Sequence, residues 1–239
     1  MKRIFTILFL LSCLTLLSCT RQASTEKVDS HRSSSAIHGV DVSHHNGKID
    51  WEILAERDNM QFVFIKATEG STIVDSEYHG NLSGAREAGL KVGAYHFLTT
   101  SSSADKQFKN FKCVVMKADI DLIPVLDAEG FTKKHPMTKD EYMKHVRVWV
   151  DLCKEHYGKA PILYCSVGHY QGFFKGRFDD CMFWAGDVNA SRSYVSAESW
   201  VIWQKTIRKC HGCSSRLDIN ILAPGKTLKD ISLRPNGID

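Results

Sequence analysis

Ile123-Pro-Val-Leu-Asp127-Ala-Glu129-Gly130 sets the reading of the chain. An apolar run enters it, a glycine leaves it, and two carboxylates stand two residues apart at its end. In an extended strand, residues i and i+2 project to one side. Asp127 and Glu129 are therefore expected to face one space together. Like charges held that close raise the pKa of one partner, and a protonated acid beside an ionised one is the pairing that cleaves glycosidic bonds. The triplet alone is common in proteins, so its weight depends on its surroundings.

Those surroundings repeat one pattern. Ile37 to Ser43, Gln61 to Gly70, Leu90 to Phe97, Asp121 to Asp127 and Pro161 to Cys165 are apolar runs that end in polar residues. Between the early ones lie helical stretches: one capped by Asp50, one over about 76–88 stopped by Gly89, and one over 102–116 with Ser103 near its cap. Thr138-Lys-Asp-Glu141 is a capping box, and Tyr142, Val146, Trp149, Val150 and Cys153 follow at helical spacing until Gly158. Runs at 181–185, 200–204 and 217–220 bring the strands to about eight. The last three lie too close together for full crossover helices between them. The expected fold is α/β, an irregular single-domain β/α barrel with about eight strands and fewer than eight helices, over residues 37–239. In such barrels the working face lies at the C-terminal ends of the strands. The polar residues expected there are Asp41, Lys66, Glu69, Tyr95, His96, Asp127, Glu129, Tyr164, Trp184, Gln204 and Asp218.

The bulk properties agree with one domain of this size. The 239 residues are 43% hydrophobic and 24% charged, enough for a sizeable core. The formal charge is +4, and no basic stripe with interleaved aromatics suggests nucleic acid. Lys2-Arg3 and the apolar run Ile4 to Leu17 read as an export signal over residues 1–18. Leu16-Leu17-Ser18-Cys19 resembles a lipobox, so Cys19 is expected to carry lipid and tether an exported bacterial lipoprotein to a membrane, at the outer membrane or cell surface. An ordinary secretory signal is the alternative. Residues 20–36 are polar and serine-rich and read as a flexible linker.

Six cysteines remain beyond the signal: Cys113, Cys153, Cys165, Cys181, Cys210 and Cys213. An even number suits an oxidising compartment but leaves connectivity open. Cys210-His-Gly-Cys213 invites a redox or zinc reading. No second pair stands nearby at ligand spacing, so a loop disulfide or buried thiols is the expectation.

Gly39-Val-Asp41-Val-Ser43-His-His-Asn-Gly-x-Ile-Asp50-Trp51, Phe64-Ile-Lys66-Ala-Thr-Glu69-Gly70, Gly93-Ala-Tyr95-His96-Phe97, Asp127-Ala-Glu129 and Trp203-Gln204 followed by Asp218-Ile-Asn220 together resemble glycoside hydrolase family 25, the Chalaropsis-type lysozymes. The resemblance runs from about Ile37 to Leu222. It implies N-acetylmuramidase activity on the β-1,4 link from N-acetylmuramic acid to N-acetylglucosamine in peptidoglycan strands. On that likeness Glu129 is the general acid and Asp127 its neighbouring carboxylate, acting as nucleophile or base, or steadying the substrate's own N-acetyl group. Asp41 and Asp218 complete the acidic pocket. Tyr95, Tyr164, Trp184 and Gln204 would meet sugar, and Lys66 and Glu69 would shape the pocket or form a structural ion pair. No metal or cofactor is implied, and a monomer is expected. Lys205 stands where the family usually has tyrosine, and the Cys210–Arg216 loop departs from its glycine-rich pattern. The other reading is a non-catalytic glycan-binding protein on the same scaffold.

Overall fold

Strand β1 (His38–Val42) pairs in parallel with β2 (Met60–Glu69) on one side and antiparallel with β9 (Arg216–Leu222) on the other. That double pairing closes the sheet. Around the ring from β9 come β8 (Ile202–Lys209), β7 (Met182–Ala185), β6 (Ile162–Cys165), β5 (Val125–Asp127) and β4 (Lys91–Phe97), which returns to β2. The short β3 (Ile73–Val74) hangs off β2 outside the ring. The computed structural model describes residues 36–131, 134–196 and 198–234. The expected signal, Cys19 with its expected lipid, and the expected linker up to residue 35 lie outside them.

Six helices accompany the strands among the described residues: α1 (Trp51–Asp58), α2 (Tyr78–Glu87), α3 (Ala104–Val114), α4 (Lys139–Tyr157), α5 (Val167–His169) and α6 (Arg192–Val195). The barrel is thus irregular, with the expected shortage of helices. The local signals act as chemistry requires. Asp50 caps α1 by accepting from the Ile53 amide at 3.1 Å. Thr138 and Glu141 cap each other's amides at the start of α4, and Gly158 ends that helix at φ 83°, a left-handed residue that glycine adopts without a steric cost.

β9 is the one reversed strand in the ring. Only residues 210–215 separate it from β8. A parallel return needs a dozen residues or more, so this connection must be a hairpin. Asp218 therefore lies near the start of its strand rather than at a C-terminal end. The reversal still brings it to the same face as the C-terminal ends of the others.

Strand alternation separates two cores. Phe62, Phe64, Val125, Ile162, Trp184, Ile202 and Leu222 fill the barrel interior. Val63, Ile65, Ala67, Val92, Ala94, Leu126, Leu163 and Phe183 face outward, beneath the helices. Both faces of β2 are covered, so it reads as a continuous apolar run. Two glycines make the inner packing possible. A Cβ on Gly39 would lie 2.5 Å from the Phe62 ring, and one on Gly93 would lie 2.3 Å from the Phe64 ring. At the lower end, the 3-10 turn Leu228–Ile231 adds Leu228 and the buried Ile231 to the inner core. The Ile123 amide donates to Ile231 O at 2.9 Å and the Leu233 amide to Asp121 O at 2.8 Å. That end is sealed at the N-terminal side of β5.

The alternation also corrects one expectation. His96 neighbours Tyr95 but points outward and is fully buried. It bonds Thr68 Oγ1 at 2.7 Å and Gln107 Oε1 at 3.1 Å, and it stacks on Trp149 of α4. It supports the layer between barrel and helices and takes no part in the strand-end site.

The glycine contacts yield a test. Gly93→Ala puts a methyl group into the Phe64 ring and should cost about 1–3 kcal/mol by overpacking. Urea denaturation should show a lower midpoint with an unchanged slope; an unchanged midpoint would mean the ring moves aside freely.

Candidate active site

The open end of the barrel holds a small open pocket lined by Asp41, Tyr95, Val125, Asp127, Glu129, Tyr164 and Trp184. Register explains the company. Asp127 of β5 is level with Tyr164 of β6, which is level with Trp184 of β7. Tyr95 of β4 is level with Val125. Past the end of β5 the chain stays extended long enough for the Ala128 amide to bond Tyr164 O at 2.9 Å. Ala128 is buried among the outward core, so Asp127 and Glu129 both face the pocket. Gly130 then turns at φ 119°, a conformation suited to glycine. Its amide donates to Tyr142 OH of α4 at 3.0 Å.

Asp41 is held by a circuit of side chains. Gln204 Nε2 donates to Asp41 Oδ2 at 3.1 Å, and Asn220 Nδ2 donates to the same oxygen at 2.7 Å. The two amides are fixed from behind. Tyr164 OH donates to Gln204 Oε1 at 2.9 Å, and Trp184 Nε1 donates to Asn220 Oδ1 at 3.1 Å. The Tyr164 and Trp184 rings meet edge to face with centroids 5.2 Å apart. Asp218 is the direct cross-strand partner of Asp41, so two carboxylates share the β1–β9 seam.

The electrostatics follow from this crowding. Burial first, and the charge of Asp218 second, push the Asp41 carboxyl up to about 7 from 3.8, against the lowering effect of the two amide donors. Burial, then the charges of Glu129 and Asp41, hold Asp127 well above the usual carboxylate range, with Lys66 pulling it back. Burial alone raises Glu129 and Asp218. Asp127 Oδ1 is buried with no hydrogen-bond partner. Glu129 reaches the mouth, where it is open to solvent on one side and desolvated by the pocket wall on the other.

The remaining predicted residues divide by role. Lys66 is buried; its Nζ lies 2.7 Å from Glu69 Oε2 and 5.1 Å from the Phe97 ring centroid. The Lys66–Glu69 pair is an ion pair beside the pocket, not part of its lining. Gln204 is also buried and holds Asp41 from behind. Asn220, fully buried, belongs with it; the signal available for it was its place two residues after Asp218 on an alternating strand. Tyr142 carried no signal beyond helical spacing. All six described cysteines are thiols, and no group of three metal-ligating side chains occurs among the described residues.

A barrel plugged at one end, with paired carboxylates and an aromatic-walled pocket at the other, has the form of a glycoside hydrolase. Comparison with known proteins gives the same class and narrows it. The description "Glycosyl hydrolases family 25" matches residues 40–209, and the chain belongs to that family. It is 33% identical to the uncharacterized protein YegX of Escherichia coli K12, covering 86% of this chain and 76% of that one. It is 37% identical to lysozyme M1 of Streptomyces globisporus, covering 78% and 68%. The structure of a family 25 glycosyl hydrolase from Bacillus anthracis superposes with a TM-score of 0.72 at 34% identity, over 80% of this chain and 90% of that one.

The raised Asp41 predicts a pH dependence of stability. Between its unfolded value of 3.8 and its folded value of about 7, the folded protein binds more protons than the unfolded chain. Stability therefore falls as pH rises through that window. Asp41→Asn cannot titrate and should shrink the loss between pH 4.5 and 7.5, measured as urea midpoints at both. An equal loss in both proteins would assign the dependence to other groups.

Proposed function

We propose that the protein is a peptidoglycan-cleaving lysozyme that hydrolyses the β-1,4 bond between N-acetylmuramic acid and N-acetylglucosamine. The observation that carries this is the sharing of one pocket by Asp127 and Glu129, with Asp127 Oδ1 buried and unpaired. Two relatives bear the names autolytic lysozyme and lysozyme M1.

Glycoside cleavage passes through an oxocarbenium-like state and requires a proton for the leaving oxygen. Glu129, at the mouth with a raised pKa, supplies it. Asp127 sits deeper, and its free oxygen suits the N–H of a substrate N-acetyl group. That hydrogen bond favours the ionised form of Asp127. Substrate binding thus sorts the protons: Asp127 gives its proton up and Glu129 keeps its own. The oriented acetamide oxygen then attacks the anomeric carbon as Glu129 protonates the departing sugar. Water next opens the cyclised intermediate, with Glu129 taking the proton back as base. Asp41 with its two amides, and Asp218 beside it, fix the floor of the site. Tyr95, Tyr164 and Trp184 give the sugar ring apolar and hydroxyl contacts.

The exported chain would work on peptidoglycan from a lipid tether at Cys19. The lipobox-like Leu16-Leu17-Ser18-Cys19 supports this placement.

Glu129→Gln should lower the clearing of purified peptidoglycan by at least about a thousandfold while leaving sedimentation with the polymer intact. The new reducing ends from the unmodified enzyme should be muramic acid; glucosamine there would assign a different bond. Cys19→Ser should move the protein from the membrane fraction to the soluble fraction, and unchanged fractionation would count against the tether.

A further inference from the structure

The β8–β9 turn carries chemistry that the hydrolytic site does not use. We propose that Cys210 and Cys213 are a disulfide-forming pair, a covalent clip across this turn.

The backbone already holds the geometry. His211 and Gly212 are the central residues of a turn whose ends are the two cysteines. Gly212 has φ 72°, the left-handed value of the third position of a type II turn. The ends of such a turn have Cα atoms within about 7 Å, and a disulfide spans Cα separations of about 4.4–6.8 Å. The turn is pinned from outside. The Asp50 amide donates to Gly212 O at 2.7 Å, the His211 amide donates to Asp58 Oδ2 at 2.7 Å, and Cys213 makes a bridge with Ile49. A Cβ on Gly212 would lie 2.5 Å from Asp50 O, so the close approach also requires glycine.

Little opposes the bond. Both side chains are buried in the same core cluster. Their sulfurs make three thiol contacts, Cys210 Sγ to Arg208 O at 4.0 Å, and Cys213 Sγ to Asn46 O at 3.7 Å and to Ser215 Oγ at 3.2 Å. A thiol is a weak donor, so rotation of the two side chains gives up little. Oxidation proceeds by exchange with a small-molecule or protein disulfide, R–S–S–R. One cysteine thiolate attacks a sulfur of that disulfide and releases RSH. The second cysteine attacks the mixed disulfide and releases the other RSH. The two hydrogens of the protein thiols leave on the two RSH products, and one Sγ–Sγ bond forms.

The clip braces the site at a distance. Cys213 and Ser215 both contact the carbonyl of Asn46, on the segment that follows β1. Asp218 lies shortly after them on β9. The turn therefore joins the two strands that carry Asp41 and Asp218.

The test uses the full chain in detergent, oxidised with glutathione disulfide, then unfolded, alkylated and mapped by mass spectrometry. The expected result is a Cys210–Cys213 link, lighter by two hydrogens, with the exposed Cys113 recovered either alkylated or as its glutathione adduct. Dithiothreitol should restore alkylation at both positions and lower the Tm by about 5 °C. The Tm of Cys210→Ser/Cys213→Ser should not respond to dithiothreitol. Alkylation of both cysteines after oxidation, a link to any other cysteine, or a wild-type Tm indifferent to reduction would overturn the proposal. None of these outcomes bears on the muramidase reading, which rests on Glu129.

Discussion

The carboxylate of Asp41, held by two side-chain amides, is the interaction on which the site depends. A barrel mouth that gathers Asp41, Asp127, Glu129 and Asp218 concentrates like charge where water is scarce. Left alone, those groups would favour an open mouth. The Gln204 and Asn220 amides stabilise one of the four, and Tyr164 and Trp184 fix the amides in turn. Two of the rings that face the pocket are thus also the outer members of the hydrogen-bond circuit. Binding surface and charge management are one set of side chains.

The same circuit separates the duties of the acids. Asp41 and Asp218 lie on the seam between β1 and β9, while Asp127 and Glu129 follow one strand end and face open space. Asp127 retains an oxygen with no partner in the protein. A buried polar atom left unmatched is costly and is rare in native structures. In the mechanism we propose, it is matched to a donor that arrives with the sugar, so that the cost borne by the free enzyme is relieved in the complex and favours an N-acetylated ring.

Much of this could be read from the chain. The i, i+2 acids worked because the backbone remains extended through Ala128 after the ladder of β5 ends. The α4 boundaries were legible because Thr138, Glu141 and Gly158 encode them locally. The reversal of β9 was half legible: the short 210–215 link forbids a crossover, but the strand direction shifts Asp218 from one end of its run to the other. His96 was misplaced because a strand covered on both faces hides which residues point inward; only its outer partners Thr68, Gln107 and Trp149 reveal it. Asn220 and Tyr142 act through partners distant in sequence, and no local pattern records such contacts. The plug at Leu228–Ile231 was invisible for the same reason.

Closure of the barrel by its first and last strands has a temporal consequence. The donors that cradle Asp41 come from 163 and 179 residues further along the chain. Contacts of that separation form late, after most of the loop entropy has been lost. A chain still emerging from the ribosome carries its first carboxylate without its cradle. Competence to cut therefore arrives only with the final hairpin, and a half-made molecule is inert toward the polymer that it will later digest.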